Sequence, residues 1–441
     1  MHGNHVRLLR DARENYPAWL EAIQNARRSV HFESYIIHPD EVGARFADAL
    51  VAKAAEGVPV RVVYDWLGAL GRGRARLWRR LREGGVEVRC FNPPRLDQPL
   101  GWLSRDHRKC VVVDGRVAFV TGLCLGKMWE GWPERGLAGW RDTGVEIHGP
   151  AVVDVERAFA ETWAACGGQL PADEKASPAA LRSRGEVALR VVATTSGTSS
   201  LYRLDPLVAA LARRTLWLTD AYYVGTPAFV QALRAAARDG VDVRLLVPGR
   251  GSDLGLVQMI SRAGYRPLLD SGVRVFEWNG PMLHAKTAVA DARWARVGSS
   301  NLNPASWMGN WELDVVVEDE RFGREMEAMY LEDLAQTTEI VLERRRRVRP
   351  AQGVRPARRR GAGGTAVRAA AGALRIGNAI GGALVARRFH GPAEQSLMLH
   401  GAVVLAGIAA VAFVWPWLLA WPIGALCVWL GLALLLGARR R

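Results

Sequence analysis

Hydrophobic and polar residues alternate along the amino-terminal part of the chain in blocks that predict strands separated by amphipathic helices. Apolar positions that recur every three or four residues indicate helices, and runs of β-branched and aromatic residues between them are typical of strands. The predicted helices cover residues 11–28, 40–56 and 74–83, and the predicted strands cover residues 29–37, 58–65 and 86–90. Strands alternating with helices indicate an α/β sheet. Before this pattern, Met1–His5 leads into a mixed charged helical pattern without the apolar core of a signal peptide.

The second half of the chain repeats this order. A strand is predicted over residues 215–222, and a helix over residues 227–239 with Thr226 as its N-cap. Residues 241–247 and 272–276 match the later strands of the first half. The two halves are each the size of a domain, unlike the short units of a solenoid. They predict two homologous lobes that face each other across a pseudo-twofold axis.

One short motif occurs once in each half. Residues His107–Asp114 and His284–Asp291 both read H-x-K-x4-D. Because side chains alternate between the faces of a strand, the His and Lys of each copy project from the same face. Lys109 and Lys286 are two of only five lysines in a chain rich in arginine, and a compact ammonium group suits a phosphate oxygen. The alternative is that each His and Lys pair simply lies on the solvated face of a sheet. This alternative leaves the repetition of the motif unexplained.

These residues resemble the duplicated H-K-D motifs of the phospholipase D superfamily. The chain is most similar to bacterial cardiolipin synthases through Trp140-Arg141-Asp142-Thr143 after the first motif, and through Gly298-Ser299-Ser300-Asn301 and Asn310-Trp311-Glu312 after the second. The resemblance implies the fold class α/β, with two phospholipase D-like lobes whose motifs form one active site. It also implies anionic phospholipids as substrates.

A lipid phosphodiester resists attack because its negative charge repels nucleophiles, and a pair of histidines can divide the displacement into two steps. One neutral imidazole attacks phosphorus and forms a phosphohistidine. The other imidazole, protonated, gives its proton to the departing oxygen and later activates the incoming hydroxyl. The motif lysines supply positive charge at the non-bridging oxygens. This scheme uses no metal and no other cofactor, and none is expected.

The resemblance implies further roles around the histidines. Asp142 and Glu312 are expected to hold the far ring nitrogens of His107 and His284, as a triad carboxylate does. The residues themselves do not distinguish the two histidines. The family usually assigns attack to the amino-terminal motif, which makes His107 the expected nucleophile.

We also expect specific roles for five other residues in or near the motifs. Ser299 and Asn301 are expected to donate hydrogen bonds to the phosphate. Asp114 and Asp291 belong to the catalytic motifs, where they either touch substrate or organise the turn that follows the strand. Cys124 stands where the family usually has asparagine, which weakens one phosphate donor and makes this residue a possible part of the cleft.

Polar residues near the ends of the first strand of each lobe are further cleft candidates. Glu33, Tyr35, Asp220 and Tyr222 either hold the headgroup of the acceptor or are ordinary polar residues at strand ends. Several tryptophans also lie near the motifs, where some belong to the core and others suit a cleft rim at a lipid interface. They are Trp102, Trp129, Trp132, Trp140, Trp307 and Trp311.

The carboxyl-terminal region differs from the rest of the chain. No residue from Gly401 to Gly437 is charged, which predicts a hairpin of two transmembrane helices. The arginine-rich stretch before it is either a solvated tail or a segment that binds anionic headgroups. Arginines flank the hairpin on both sides, which predicts that both of its ends lie on the cytoplasmic side of a bacterial cell membrane. The catalytic lobes are expected in the cytoplasm. The predicted domains are residues 1–166 (first lobe), 167–186 (linker), 187–342 (second lobe), 343–395 (basic segment) and 396–441 (hairpin).

Composition leaves the class of partner open. The formal charge of +15 suits nucleic acid and an anionic membrane equally. Five cysteines without metal-ligand spacing argue for a reducing compartment and against zinc. The leading hypothesis is a phosphatidyltransferase that converts two phosphatidylglycerols into cardiolipin and glycerol, with no nucleic-acid partner. A phospholipase D hydrolase, a nuclease of the superfamily and a non-enzymatic lipid tether are the alternatives, and the sequence does not indicate the oligomeric state.

Overall fold

The computed structural model describes residues 1–71, 74–94, 103–172, 174, 182–196, 198, 200–342 and 348–350, together with residues 417, 421 and 428. The predicted basic segment and the predicted hairpin therefore fall almost entirely outside the described residues, and so does part of the linker. Trp102 lies outside them as well. Each helix in the described part of the chain is too short or too polar to cross a membrane.

The first lobe is built from nine strands and five helices within the described residues. Its strands are β1 (His5–Arg10), β2 (Val30–Ser34), β3 (Val60–Asp65), β4 (Glu87–Phe91), β5 (Cys110–Val113), β6 (Val117–Thr121), β7 (Gly131–Trp132), β8 (Leu137–Ala138) and β9 (Thr143–His148). Its helices are α1 (Asp11–Gln24), α2 (Glu41–Ala55), α3 (Arg74–Glu83), α4 (Lys127–Glu130) and α5 (Val152–Ala165).

The second lobe repeats the larger elements. Its strands are β10 (Ala188–Thr194), β11 (Thr215–Thr219), β12 (Asp242–Pro248), β13 (Arg274–Trp278), β14 (Thr287–Ala290), β15 (Trp294–Gly298), β16 (Glu312–Glu318), β17 (Thr337–Leu342) and β18 (Val348–Pro350). Its helices are α6 (Ser200–Leu211), α7 (Pro227–Arg238), α8 (Gly255–Ala263), α9 (Tyr265–Leu269) and α10 (Glu320–Leu334), and Ala305–Gly309 forms a π-helical turn.

Strand order confirms the predicted duplication. The first sheet runs β1-β9-β6-β5-β2-β3-β4, and the second runs β10-β16-β15-β14-β11-β12-β13 before β17 and β18 extend it. In both sheets the last three strands of the shared order are parallel and their other pairings are antiparallel. The two motif strands, β5 and β14, occupy the same central position, each beside the first parallel strand.

The first strand was missed by the sequence analysis. Residues assigned to a charged helical pattern form β1, which pairs antiparallel with β9 at the edge of the first sheet. An edge strand has one solvated side, so β1 carries His5 and Arg7 among its apolar residues and lacks the uniform apolar run of a central strand. The predicted N-cap Thr226 does stand before α7, although its hydroxyl makes no capping hydrogen bond.

Three apolar clusters hold the lobes together. One lies between the first sheet and helices α1–α3, and another lies between the second sheet and helices α6, α7 and α9. The third is shared, because it contains buried residues of both sheets and of α5 and α10. The inner faces of the two sheets therefore form one continuous core, which fixes the position of one motif relative to the other.

A buried ion pair ties the lobes together beside the motifs. The Arg141 guanidinium group donates from Nε and Nη2 to both carboxylate oxygens of Asp333 on α10, at 2.8 and 2.9 Å. Its Nη1 also donates to Asp11 at 3.1 Å. Removing one partner of a buried pair is costly because the other charge is left desolvated.

We predict that Asp333→Asn lowers the free energy of unfolding by about 2–3 kcal/mol, because Arg141 would keep only part of its charge compensation. Urea denaturation followed by tryptophan fluorescence measures the change. Glu325→Gln is the matched control, since Glu325 is exposed on the same helix. Equal stability of the two variants would contradict the role given to this pair.

Candidate active site

Backbone hydrogen bonds between the lobes bring the two motif histidines together. The His107 amide donates to the Trp311 carbonyl at 2.8 Å, and the His284 amide donates to the Arg141 carbonyl at 2.7 Å. Each histidine is therefore attached to the segment of the opposite lobe that leads into a carboxylate residue. Both are buried, with 9% and 5% of their surface exposed.

The two histidine–carboxylate pairs cross between the lobes. His107 Nδ1 lies 2.9 Å from Glu312 Oε2, and His284 Nδ1 lies 2.7 Å from Asp142 Oδ2. The sequence analysis named the correct carboxylates but matched them to the histidines in chain order, which is wrong. Since each carboxylate engages Nδ1, the Nε2 atom of each ring remains for substrate. One site is thus assembled from two half-sites, neither of which is complete within its own lobe.

The two carboxylates are held by donors at equivalent positions in the repeats. The Trp129 indole N–H donates to Asp142 at 3.1 Å, and the Ser306 hydroxyl donates to Glu312 at 2.6 Å. Trp129 and Ser306 stand at the same distance from their motif lysines along the chain. Sequence reasoning missed Ser306, and aligning the two repeats would have paired it with Trp129.

Ser299 serves the carboxylate rather than the substrate. Its buried hydroxyl donates to Glu312 at 2.6 Å and accepts from the Leu313 amide at 2.9 Å. The expectation that Ser299 donates to phosphate is therefore corrected, because its proton is already used within the protein. The equivalent position in the first lobe is Gly122, where an added Cβ would lie 2.2 Å from Asp142 Oδ1. A larger residue there would displace the carboxylate.

The motif lysines lie beside the histidines, as expected. Lys109 Nζ donates to the His107 carbonyl at 2.6 Å, and Lys286 Nζ lies 2.9 Å from His284 Nδ1. Burial lowers the pKa of Lys286 to about 8, against the opposing effect of Asp142. The cations are therefore confined in a poorly hydrated site, where they interact strongly with any anion that enters.

Aromatic rings surround the histidines unequally. Tyr35 meets His107 edge-on at a centroid distance of 5.1 Å. His284 instead contacts three rings, Trp129 and Trp140 at 5.5 Å each and Tyr222 at 5.9 Å. We call these three residues the aromatic cluster. Two of the cleft candidates, Tyr35 and Tyr222, thus contact a motif histidine each, and their role towards the headgroup of the acceptor remains a prediction.

The two acidic cleft candidates differ in direction: Glu33 points away from the motif histidines, whereas Asp220 interacts electrostatically with Lys286. Glu33 is buried, accepts a hydrogen bond from the Cys110 thiol at 3.4 Å, and has its pKa raised by burial. It lies opposite Cys110 across the β2–β5 pair, so it points to the face of the sheet opposite that of Lys109. Asp220 is also buried, and it accepts from the amides of Leu302 and Tyr222. Burial raises the pKa of Asp220 to about 7.

Asn301 and Cys124 occupy equivalent positions after the second strand of each motif. Both are buried, and the Asn301 side-chain oxygen has no hydrogen-bond partner within the described structure. The Cys124 side chain packs in the outer core of the first lobe, and its carbonyl accepts from the Tyr16 hydroxyl at 2.6 Å. A phosphate-binding role for Asn301 and a cleft role for Cys124 remain predictions.

The motif aspartates lie at the far ends of the motif strands from the histidines. Asp114 accepts hydrogen bonds from the backbone amides of Arg27, Arg28 and Ser29. Asp291 binds the backbone amides of residues 213–215 in the same way. Both aspartates adopt positive φ, near 56° and 55°, which Asp tolerates better than most residues. The structure corrects their assignment as catalytic residues and supports the alternative that they organise the turn.

Both histidines are neutral in the free protein at ordinary pH. Burial lowers the pKa of His107 to about 4, although Glu312 opposes the shift. Burial and the nearby Lys286 lower the pKa of His284 to about 3, again against a carboxylate. Each ring therefore carries a free nitrogen lone pair, as a nucleophile or general base requires. In the described part of the chain, no three His, Cys, Asp or Glu side chains are grouped to hold a metal ion.

Comparison with known proteins identifies relatives of the whole two-lobed region. A family model described as "Cardiolipin synthase, PLD-like domain" matches residues 19–163 and 209–334. Cardiolipin synthase A of Pseudomonas fluorescens is 36% identical over 366 residues, covering 80% of this chain and 74% of the relative. Cardiolipin synthase of Alkalihalophilus pseudofirmus is 30% identical over 341 residues, covering 76% and 67%.

Solved structures share the fold at low sequence identity. Phosphatidylserine synthase of Haemophilus influenzae superposes with a TM-score of 0.62 at 14% identity, covering 76% of this chain and 87% of that one. Polyphosphate kinase of Porphyromonas gingivalis gives a TM-score of 0.52 at 14% identity, covering 86% and 53%. These similarities concern the fold alone.

We predict that Glu312→Gln lowers turnover by about 10³–10⁴-fold, because the amide can no longer stabilise the imidazolium form of His107. Turnover measured at saturating substrate gives the effect. Glu318→Gln is the control, since Glu318 is exposed at the other end of β16. Full activity of Glu312→Gln would show that the crossed pair does not act in the reaction.

We also predict that stability decreases in acid. The unfolded chain protonates its histidines below pH about 6.5, whereas the folded protein does so only near the lowered pKa values of about 4 and about 3. The stability that the protein gains from keeping these two histidines neutral is therefore complete above pH about 6.5, and it is lost as the pH falls towards 4. Urea midpoints measured from pH 7 to 4 should fall less steeply in the double variant His107→Gln, His284→Gln. Parallel curves would contradict the lowered pKa values.

Proposed function

Because the chain belongs to the cardiolipin synthase family of phospholipase D-like proteins, we propose that it joins two phosphatidylglycerols into cardiolipin and releases glycerol. The observation that supports this most directly is the crossed pairing, which brings two complete histidine–carboxylate–lysine sets to one site. A reaction in two displacement steps needs two imidazoles with interchangeable roles. The lobes supply them in near-symmetric surroundings.

In the first step, Nε2 of His107 attacks the phosphorus of the donor lipid. A P–N bond forms and the P–O bond to the headgroup glycerol breaks, while His284 gives its proton to the departing glycerol oxygen. The products are a phosphatidylhistidine and free glycerol. Glu312 stabilises the positive charge that His107 acquires, by the hydrogen bond to Nδ1.

In the second step, His284 takes the proton of a hydroxyl group on the second phosphatidylglycerol. That oxygen attacks phosphorus, the P–N bond breaks, and His107 is regenerated. His284 again carries the proton it lost in the first step, so the cycle is balanced. The neutral state of both free histidines implies that the bound phosphate anion raises the pKa of His284 and lets it hold this proton.

The aromatic cluster favours a lipid hydroxyl over water as acceptor. Trp140 and Trp129 cover one side of His284, the base of the second step, with apolar surface. The corresponding residues of the other half-site, Asn310 and Ser306, are polar and donate hydrogen bonds to Glu312. An apolar cover excludes water from a reactive intermediate. A phospholipase D hydrolase is the second candidate, because the same histidines serve water equally well.

The remaining parts of the chain fit this activity as follows. Residues 1–166 and 187–342 form the two halves of the site, joined by the linker 167–186. The basic segment 343–395 meets anionic headgroups, and residues 396–441 anchor the enzyme in the bacterial cell membrane with the lobes in the cytoplasm. These assignments rest on sequence pattern and on the membrane association that the family implies.

Incubation of detergent-solubilised enzyme with labelled phosphatidylglycerol tests the proposal. We expect cardiolipin and free glycerol, and a loss of at least about a thousandfold in His107→Ala and His284→Ala, because the two residues act as a unit. Mass spectrometry identifies the products. Phosphatidic acid alone would assign a hydrolase, and unchanged lipid beside cleaved DNA would assign a nuclease.

Trp140→Ala should raise the ratio of phosphatidic acid to cardiolipin several-fold, because water gains access to His284. Trp132→Ala is the control, since Trp132 lies in β7, in the same segment between α4 and β9 as Trp140, without a described ring contact to His284. The same product analysis gives both ratios. An unchanged ratio in Trp140→Ala would exclude this residue from the choice of acceptor.

A further inference from the structure

Helix α8 exposes an apolar face that the fold leaves uncovered. Leu256, Met259 and Ile260 follow the i, i+3, i+4 spacing of one helix face. Their exposed fractions are 54%, 68% and 41%. Isolated exposed apolar residues are common in proteins, but three large ones adjacent on one helix mark a site of interaction.

This helix lies at the cleft end of the second sheet. The Ser261 hydroxyl donates to the Tyr223 carbonyl at 2.6 Å, just beyond the end of β11. Arg262 donates to Glu277 at 2.7 and 2.6 Å, near the end of β13. Asp253, immediately before the helix, accepts from the Tyr222 hydroxyl at 2.9 Å. Since the Tyr222 ring contacts His284, the segment that leads into α8 is connected to a motif histidine through the side chains of Asp253 and Tyr222.

The exposed apolar face is not a requirement of the fold. The first lobe places α3 between the equivalent strands, β3 and β4. That helix buries Leu77, Trp78 and Leu81, and exposes Arg76, Arg79, Arg80 and Arg82. The second-lobe counterpart of α3 is α9, because Val273 and Leu268 before β13 make the same backbone hydrogen bond as Val86 and Leu81 before β4. Helix α8 has no described counterpart in the first lobe, so its apolar face is not needed by the fold that the two lobes share.

We propose that the apolar face of α8 docks the enzyme on a bilayer that contains anionic phospholipid. The three side chains enter the boundary between headgroups and acyl chains, as the apolar face of an interfacial helix does. Arg250 is exposed before α8 and lies at the level of the headgroups. Arg262 and Arg266 are exposed at the other end of the helix, where they also pair with Glu277 and Asp270. The proposal rests on the proposed function, because a lipid must pass directly from bilayer to cleft.

The test compares one reaction on two forms of substrate. Full-length enzyme carrying Leu256→Glu and Met259→Glu is assayed on long-chain phosphatidylglycerol in vesicles and on short-chain phosphatidylglycerol dissolved as monomers. We expect turnover on vesicles to fall about tenfold or more, since burial of a large apolar side chain is worth about this factor. Turnover on monomers should stay unchanged, because the catalytic residues are untouched.

Leu211→Glu is the matched control. Leu211 is 66% exposed at the end of α6, close to the residues that bind Asp291 and therefore far from the histidines. It should leave both activities unchanged. Equal turnover of the α8 variant and wild type on vesicles would overturn the proposal. An equal loss on vesicles and monomers would also overturn it, since that result means damage to the cleft.

A second measurement needs no catalysis. In full-length enzyme with Cys90, Cys166 and Cys427 replaced by Ser, an environment-sensitive fluorophore on Met259→Cys should shift to shorter wavelength with phosphatidylglycerol vesicles. The same fluorophore on Leu211→Cys in that background should not shift. A shift caused by protein concentration without lipid would identify a second copy of the chain as the occupant and overturn the proposal. If wild type forms no cardiolipin, the proposed reaction fails while this measurement still decides the docking surface.

Discussion

The structure depends on the cost of burying ionisable groups. Each motif histidine lies in a poorly hydrated interior, where an isolated charge is strongly unfavourable, and where a catalyst must nevertheless form an imidazolium ion. Glu312 and Asp142 make that possible, and they are themselves buried. Their charges are compensated in turn by Ser299, Ser306 and the Trp129 indole. The two lobes must therefore meet in an arrangement that gives each of these buried charges its partners.

The two half-sites are similar in outline and different in chemistry. On the Glu312 side the donors are hydroxyl groups, with the Asn310 amide nearby. On the Asp142 side one indole donates while a second covers the ring of His284. Duplication supplies two imidazoles, and divergence of their neighbours gives one of them polar surroundings and the other an aromatic cover.

The sequence was sufficient for features that depend on local pattern. Periodicity predicted most helices and strands, and the repeated motif predicted the histidines and lysines of the site. The partners of these residues depend on contacts between distant segments, which periodicity does not encode. The exchange of Asp142 and Glu312 between the lobes is one such contact. The direction of Glu33 is another, because it follows from the register of β2 against β5. Ser299 was assigned to phosphate for the same reason, since its acceptor lies across the strand pair on β16.

The crossed pairing has a consequence for the symmetry of the molecule. The histidine of each half contacts the carboxylate of the other half, so a pseudo-twofold rotation that exchanges the lobes also exchanges the two contacts. This is the arrangement of an isologous interface, in which one surface recognises its own copy. A single lobe carrying one motif holds all the parts of a half-site and lacks only the rotated copy. The covalent link between the lobes thus replaces what two separate chains would achieve by association, and it frees each copy of the surface to change independently of the other.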